Sequence, residues 1–595
     1  MENLVVLDCE VYPNYTLFAF KNIDNQNVLT IEIKGLDSFL NEKTYRELNT
    51  IMKKRTTFGF NSRNYDIPVI LFALKGKTAK EIYKLSNFII DNNSPGWMTL
   101  KKFDLNWSPF EIKHFDIQEP TPGVKTSLKL YGARLNSYHL QDIPIEPGTI
   151  LTDDQMESVK KYCVNDLNTT IDVFNHIKDR IQLRFDMSKQ YGQDLISKSD
   201  AQIAELVIKS ELTKKFPGKK LYAPIIPDSA TFKYVAPDFI KFKTNELNHL
   251  LTMIESANFQ LDGKGSIKLP KELKNTIIKL GMTSYQLGIG GIHSTEKKQC
   301  VIPNKNQILV DKDVASYYPS IILNLKLFPK HLGTSFLDIY RDIVEQRLKA
   351  KKEGNKVVNE SLKIVINGSF GKLGSKYSVL YSPDLMIAVT LTGQLALLML
   401  IEELQRNRIS VISSNTDGFV SLMNKDQYST YDDICFNWEL NTGFSLEETR
   451  YKALYSRDVN NYLAITEKGS KGKGIFTLDS ISKNPQAPIC INSVINLLTK
   501  NIPIEKSIKD CKDLTQFITA RSVTGGAVFR GDYLGRVVRW IYSTNGEAIK
   551  YKKNGNKVAK SDGARPIMTL DQFPTDIDYS RYISETIDIL KDLGL

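Results

Sequence analysis

Two stretches, read together, constrain this chain more than any other feature: "QILVDKDVASYYPS" (307–320) and "ISVISSNTDGFVSLM" (409–423). The first is an apolar strand that runs into acids and then into a helix-like segment. The second is a pair of β-branched runs around the turn formers Asn415, Thr416, Asp417 and Gly418, the pattern of a β-hairpin. An acid on a half-buried strand is costly unless positive charge sits beside it. A fold that brings these strand ends together makes a cation site from Asp313 and Asp417. The hairpin tip offers only that one carboxylate, with Asn415 beside it.

A chain of 595 residues exceeds what one hydrophobic core supports, so about three to five domains or subdomains are expected. The N-terminal segment alternates "NLVVLDCEVY", "TLFAFKN" and "NVLTIEIKG" with the amphipathic "DSFLNEKTYRELNTIMKK", which predicts a mixed sheet flanked by helices. A long helical pattern beginning at "TDDQMESVKKYCVNDL" closes that unit near Phe185. A less regular basic region leads to "YQLGIGGIHS", followed by the first acidic strand, a helix-rich stretch over 336–374, a long helix over 385–407 and the hairpin. Beyond Lys473 the pattern changes to helices and then to strands.

Lys plus Arg number 79 against 67 Asp plus Glu, and the net charge of +12 favours a polyanionic partner. The six cysteines contain no C-x-x-C pair, which suggests neither a zinc knuckle nor a disulfide framework. Reduced thiols of a cytosolic protein are expected. "MENLVVLDCEVYPN" lacks the basic start of a signal peptide, and the most apolar run, "MIAVTLTGQLALLMLI", is broken by polar residues. A soluble, cytoplasmic protein with no membrane partner is expected.

Asp8 and Glu10 stand two residues apart on the first predicted strand, so both side chains point to one face. Asp66, in "FNSRNYDIPVI", reads as a helix N-cap two residues before Pro68. Tyr162 and Asp166 are spaced i, i+4 and share a helix face. Each alone has a structural reading as an acid pair, a cap or a surface pair. In order, D-x-E, N-x-x-x-Y-D and Y-x-x-x-D resemble the three motifs of the DEDDy 3′-to-5′ exonucleases, across the first third of the chain. The resemblance implies an RNase H-like fold in which Asp8, Glu10, Asp66 and Asp166 hold two divalent cations and Tyr162 positions the attacking water. Phosphodiester hydrolysis uses such a pair to activate water and stabilise the leaving oxygen. Asn61 and the "SLK" of Ser127, Leu128 and Lys129 become candidates for holding a single-stranded 3′ end, beside their plainer reading as local caps.

"DVASYYPS" (313–320) resembles motif A of family B DNA polymerases, D-x-x-S-L-Y-P-S, with Tyr317 where Leu is usual. "LKIVINGSFGKLG" resembles motif B, K-x-x-x-N-S-x-Y-G, with Gly368 for Ser and Phe370 for Tyr. Lys363 and Asn367 lie i, i+4 on one helical face, and "VEQRLKAKKEG" sets Arg347 and Lys351 at the same spacing. The hairpin resembles motif C, Y-x-D-T-D-S, with Ser413, Asn415 and Gly418 as departures. "RYKALYSRDVNNYLAI" and "KGKGIF" resemble the segments that grip the primer duplex, with Lys452 and Lys473 as phosphate contacts. "YQLGIGGIHS" resembles the Tyr-Gly-Gly linker, which makes Tyr285, Gly290 and Gly291 candidate DNA contacts.

This resemblance implies an α/β and α+β multidomain protein, an RNase H-like exonuclease joined to a right-hand polymerase. The expected boundaries are an exonuclease domain over 1–190, a connecting region over 191–299, palm over 300–335 and 375–480, fingers over 336–374, and thumb over 481–595. Asp313, the Val314 carbonyl and Asp417 would hold two Mg²⁺ ions, or Mn²⁺, for attack of a primer 3′-hydroxyl on a dNTP. The triphosphate would meet the Ser316 and Tyr317 backbone, Arg347, Lys351 and Lys363, with Asn367 beside them, and Tyr318 would exclude a 2′-hydroxyl. The implied partners are primer-template DNA, dNTPs and phage replication proteins. Only 50 residues separate Asp313 from Lys363, too few for the insertion of protein-primed relatives, which favours a compact, phage-type, nucleic-acid-primed enzyme. The alternatives are a protein-primed polymerase, an exonuclease with a vestigial polymerase half, and a DNA-binding factor that has lost catalysis.

Overall fold

The computed structural model describes residues 3–107, 113–218, 220–477 and 481–595. They form two compact units, one of Met1–Ser199, Asp479–Asn492 and Ile504–Glu585, the other of Asp200–Leu478, Ser493–Pro503 and Thr586–Leu595.

In the first unit, a five-stranded sheet runs in the order Val28–Lys34, Tyr15–Asn22, Leu4–Tyr12, Thr56–Gly59 and His114–Asp116. The first two pairings are antiparallel and the last two parallel. Period-two alternation sorts the central strand. Leu4, Val6 and Tyr12 pack with Val159, Cys163 and Leu167 of the helix Asp153–Tyr191, while Val5, Leu7, Cys9 and Val11 pack with Ile67 and Ile70 on the opposite face. That helix begins with a capping box between Thr152 and Gln155 and stops at Gly192 in the left-handed conformation, six residues beyond the expected end.

Most of the 481–595 stretch, expected as a separate thumb, belongs to this first unit. The strands Thr519–Phe529 and Asp532–Glu547, with Lys550–Tyr551 and Ala564–Pro566, form a four-stranded sheet. Ala520 and Val537 from that sheet share a buried cluster with Leu130 and Ala133 of the helix Leu128–Arg134. Arg539 is fully buried and donates to the carbonyls of Ser137 and Ile567 at 2.6 Å and of Tyr138 and Met568 at 3.0 Å. A guanidinium with all its partners on backbone ties the two segments together, because a single lost partner leaves buried charge unsatisfied.

The second unit is built on a ten-stranded sheet. Its strand Gln307–Val314 lies between Gly418–Asn424 and Leu446–Asp458. Ile277–Leu280, Thr283–Gln286 and His293–Ser294 join the same sheet, so it starts inside the region expected to be a connector. Two helices, Ser335–Lys352 and Lys356–Leu373, form a hairpin whose turn contains Gly354 at φ 72°. The helix Asp200–Lys215 packs on the second of them. Pro383–Arg406 is long and apolar enough to cross a membrane by length and composition, but 78% of its apolar window is buried, as befits a core helix.

Candidate functional site

In the first unit, Asp8 and Glu10 continue the stripe begun by Leu4 and Val6, so they meet the helix where it presents Tyr162, Cys163 and Asp166. Cys163 Sγ donates to Asp8 Oδ2 at 3.3 Å, and ligand atoms of Asp8, Glu10 and Cys163 lie within 4.8 Å of one another. Asp66 is buried, and its Oδ1 has no hydrogen-bond partner among the described residues. It is the first residue of the helix Asp66–Leu74, whose N-cap is Tyr65, which corrects its expected capping role. Lys129 Nζ donates to Asp166 Oδ1 at 2.6 Å and sits 3.9 Å from the Tyr162 ring centroid.

The electrostatics of this cluster call for added positive charge. Burial, followed by the carboxylates of Asp66, Glu10 and Asp166, raises Asp8 well above the usual range. Burial and Asp166 push Glu10 up to about 8 against the pull of Lys129, and burial pushes Asp66 up to about 7. Asp166 is raised by burial although Lys129 pulls the other way. Asp8 and Glu10 meet beside Cys163, Asp66 and Asp166 act on both electrostatically, and this carboxyl set, with an unpartnered buried oxygen on Asp66, suits hard divalent cations of the Mg²⁺ and Mn²⁺ class.

The loop before Asp66 is held from below. Asp116 is buried and accepts from the backbone N–H groups of Asn61, Arg63 and Gln118 at 2.9–3.0 Å, which fixes Asn61 at φ 58°. His114 bridges Thr57 Oγ1 at 2.9 Å and Ser62 Oγ at 2.8 Å, and burial followed by the Arg63 charge lowers its pKa to about 3. The Asn61 side chain accepts from Asn64 Nδ2, and Ser127 caps the helix Leu128–Arg134.

In the second unit, register brings the two strand-end acids together. Asp313 pairs with Gly418, and Val314 N–H donates to the Asp417 carbonyl at 2.7 Å. A Cβ at residue 418 would stand 2.0 Å from Asp313 Oδ1, so glycine there makes room for the carboxylate. Burial and then Asp313 raise the pKa of Asp417, while Lys473 and Lys471 oppose the shift. The Asn415 amide donates to the Val459 carbonyl at 2.9 Å and to Asn460 Oδ1 at 3.1 Å, which only an NH₂ group can do toward a carbonyl. Its position is thus a clasp between the hairpin tip and the turn after Leu446–Asp458.

The other departures from the family pattern also have packing reasons. A Cβ at Gly368 would lie 2.7 Å from the Asp200 carbonyl and 2.8 Å from the Ala204 Cβ. Phe370 packs on Tyr318 with ring centroids 4.3 Å apart, and the Tyr318 hydroxyl donates to the Gly290 carbonyl. Ser413 donates to Glu296 Oε1 at 2.6 Å. On the hairpin of helices Ser335–Lys352 and Lys356–Leu373, Lys351, Lys363 and Asn367 are exposed, and Arg347 Nη1 lies 3.4 Å from Ser316 Oγ. Ser316 adopts φ 49° before the helix Tyr317–Asn324, and its N–H and that of Tyr317 donate to no partner among the described residues. Lys473 faces the acids, and burial holds its pKa below the usual value despite Asp417 and Asp313.

Several expected contacts are corrected. Tyr285 is fully buried in the sheet and cannot touch DNA. Gly291, at φ 152°, serves close approach, because a Cβ there would stand 2.8 Å from Thr416 Cγ2. The Tyr317 side chain is buried, its hydroxyl donating to the Gly393 carbonyl at 2.5 Å, so only its backbone faces outward. Lys452 is exposed and pairs with Glu467 at 3.0 Å. Sequence reasoning missed Lys471 and Asp311. Asp311 is two residues before Asp313 and shares its face, a signal that was present in the D-x-D spacing.

No protein-family model matches the chain, and no curated protein matches it. Among solved structures, the family B DNA polymerase of the hyperthermophilic archaeon Pyrobaculum calidifontis is similar to it at 14% identity and a TM-score of 0.43, over 100% of this chain and 78% of that one.

Proposed function

We propose that the chain is a family B DNA-directed DNA polymerase with a 3′-to-5′ exonuclease in its first unit, of the compact phage type that extends a nucleic-acid primer. The observation that carries this reading is the register of Asp313 against Gly418, which sets two carboxylates side by side at one end of the sheet. Bound divalent cations would supply activation of the primer 3′-hydroxyl and neutralisation of the departing pyrophosphate. Asp313 and Asp417, with the Val314 carbonyl, would hold them. Arg347, Lys351 and Lys363 bind the triphosphate as fixed positive charge, and the free N–H groups of Ser316 and Tyr317 add donors. Tyr318, wedged between Phe370 and Gly290, closes the space a 2′-hydroxyl would need.

In the first unit, Asp8, Glu10, Asp66 and Asp166 would hold the cations that support phosphodiester hydrolysis. Tyr162 orients the water, and Lys129 keeps Asp166 and Tyr162 in register. A 5′-labelled primer on a longer template tests both halves. With Mg²⁺ and dNTPs it should lengthen, and without dNTPs it should shorten. Asp8→Ala should stop only the shortening; a wild-type protein that never lengthens the primer overturns the polymerase assignment.

A further inference from the structure

Asp311, Asp313 and Asp417 share one face of the second unit's sheet with Lys471 and Lys473, and the register sets Glu447 opposite Asp313. Asp311 and Asp313 alternate with Lys312, which points the other way toward Asp432 at 3.3 Å and Glu448 at 3.6 Å. Lys471 and Lys473, also two residues apart, pair in register with Ala464 and Tyr462 and face the acids. The two lysines differ sharply. Lys471 Nζ lies 3.4 Å from Asp311 Oδ2, 3.7 Å from Asp313 Oδ2 and 3.5 Å from the Tyr451 hydroxyl. Lys473 makes no ion pair among the described residues.

Resting on the polymerase reading above, we propose that Lys471 is a resident counter-ion of Asp311 and Asp313 that leaves when divalent cations enter, so that metal loading and lysine release are one exchange. Three observations carry the idea. The ammonium occupies the carboxylate face of Asp313, where a cation would have to bind. The Asp311 side chain is only 8% exposed, whereas that of Lys471 is 49% exposed, so the lysine can swing into water at little desolvation cost. Asp311 is not orphaned by the exchange, because the Tyr451 hydroxyl continues to donate to it.

Asp311 also answers the shortage of acid at the hairpin tip. With Asn415 used as a clasp, Asp311 brings a further negative charge to the face from the central strand. Lys471 offsets negative charge where Asp313 would meet a divalent cation, so loading that carboxylate favours withdrawal of the lysine. Lys471 is therefore a positioning residue. It keeps Asp313 in place beside Gly418 until metal and nucleotide arrive, and is then free to meet phosphate.

The test uses the full chain carrying Asp8→Ala and Asp66→Ala, which removes the other proposed cation site, with free Mn²⁺ read by electron paramagnetic resonance. Lys471→Met should tighten Mn²⁺ binding about fivefold or more, and Lys473→Met by less than about twofold. Equal shifts from both lysines, or no shift from Lys471→Met, overturn the exchange, since a general field would treat them alike. Asp417→Ala should abolish the Mn²⁺ site; if it does not, the polymerase reading itself fails, a distinct outcome. In the same background without a lysine change, an amine-reactive acylating reagent read by mass spectrometry should label Lys471 faster when Mg²⁺ is added. Unchanged labelling would contradict release.

Discussion

Asn415→Asp introduces an acid at the point where the hairpin departs from the family B motif it resembles, and the structure predicts that it harms the protein. The substitution removes an NH₂ group that donates to Val459 O at 2.9 Å and to Asn460 Oδ1 at 3.1 Å. Each lost hydrogen bond costs about 0.5–1.5 kcal/mol, and a carboxylate oxygen facing the Val459 carbonyl adds repulsion. Partial exposure of the site moderates the sum to about 2 kcal/mol. For a unit of about 300 residues, that lowers the melting temperature by about 3 °C. The same turn receives Ile475 N–H on Asn461 Oδ1 at 3.0 Å and abuts Gly474, so loosening it also loosens Lys473 beside the acids. Calorimetry should show the second unit melting earlier, and primer extension should slow by about tenfold. If Asn415→Asp melts no earlier and extends faster, Asn415 is a weakened acid and the clasp argument is wrong.

Three other outcomes follow from the geometry. Gly418→Ala places a Cβ 2.0 Å from Asp313 Oδ1, forcing that carboxylate to rotate; extension should fall by about tenfold or more while 3′-end shortening is unchanged, in parallel assays of the two activities. His114 is held neutral, its pKa lowered from 6.5 to about 3 by burial and Arg63. The unfolded chain therefore binds the extra proton first, and the first unit loses stability as pH falls from about 6.5 toward 3, by up to about 4 kcal/mol. Urea midpoints measured across that range should drop, and His114→Gln should flatten the slope. Tyr318→Ala opens the space beside Phe370 and should admit ribonucleotides, whereas Tyr318→Phe, which loses only the bond to Gly290, should keep sugar discrimination; an incorporation assay with rNTPs separates them.

Period-two and 3.6-residue patterns made the strands around Asp8, Asp313 and Asp417 and the helix bearing Tyr162 legible in the chain, because each pattern acts over a few residues. What escaped depends on distant pairing. Arg539 bonds to Ser137 across 402 positions, and nothing local in "GRVVRWIY" announces a partner in the N-terminal third of the chain. Lys471 escaped for a different reason. The strand Leu446–Asp458 has register shifts between Tyr451 and Ala453 and between Ser456 and Asp458. A one-residue slip exchanges the two faces of a strand, so which lysine of the hairpin that follows meets the acids is decided by bulges that composition does not reveal. The departures at Gly368, Ser413 and Gly418 were visible as letters, but their meaning required the neighbours that crowd them.

The most direct measurement is primer extension in Mg²⁺ by the wild type and by Asp417→Ala, with folding of both checked by calorimetry. The single acid at the hairpin tip, working with Asp313, predicts that the wild type extends a primed template and that the equally folded variant does not. Extension by Asp417→Ala at the wild-type rate, or none by the wild type, would contradict it.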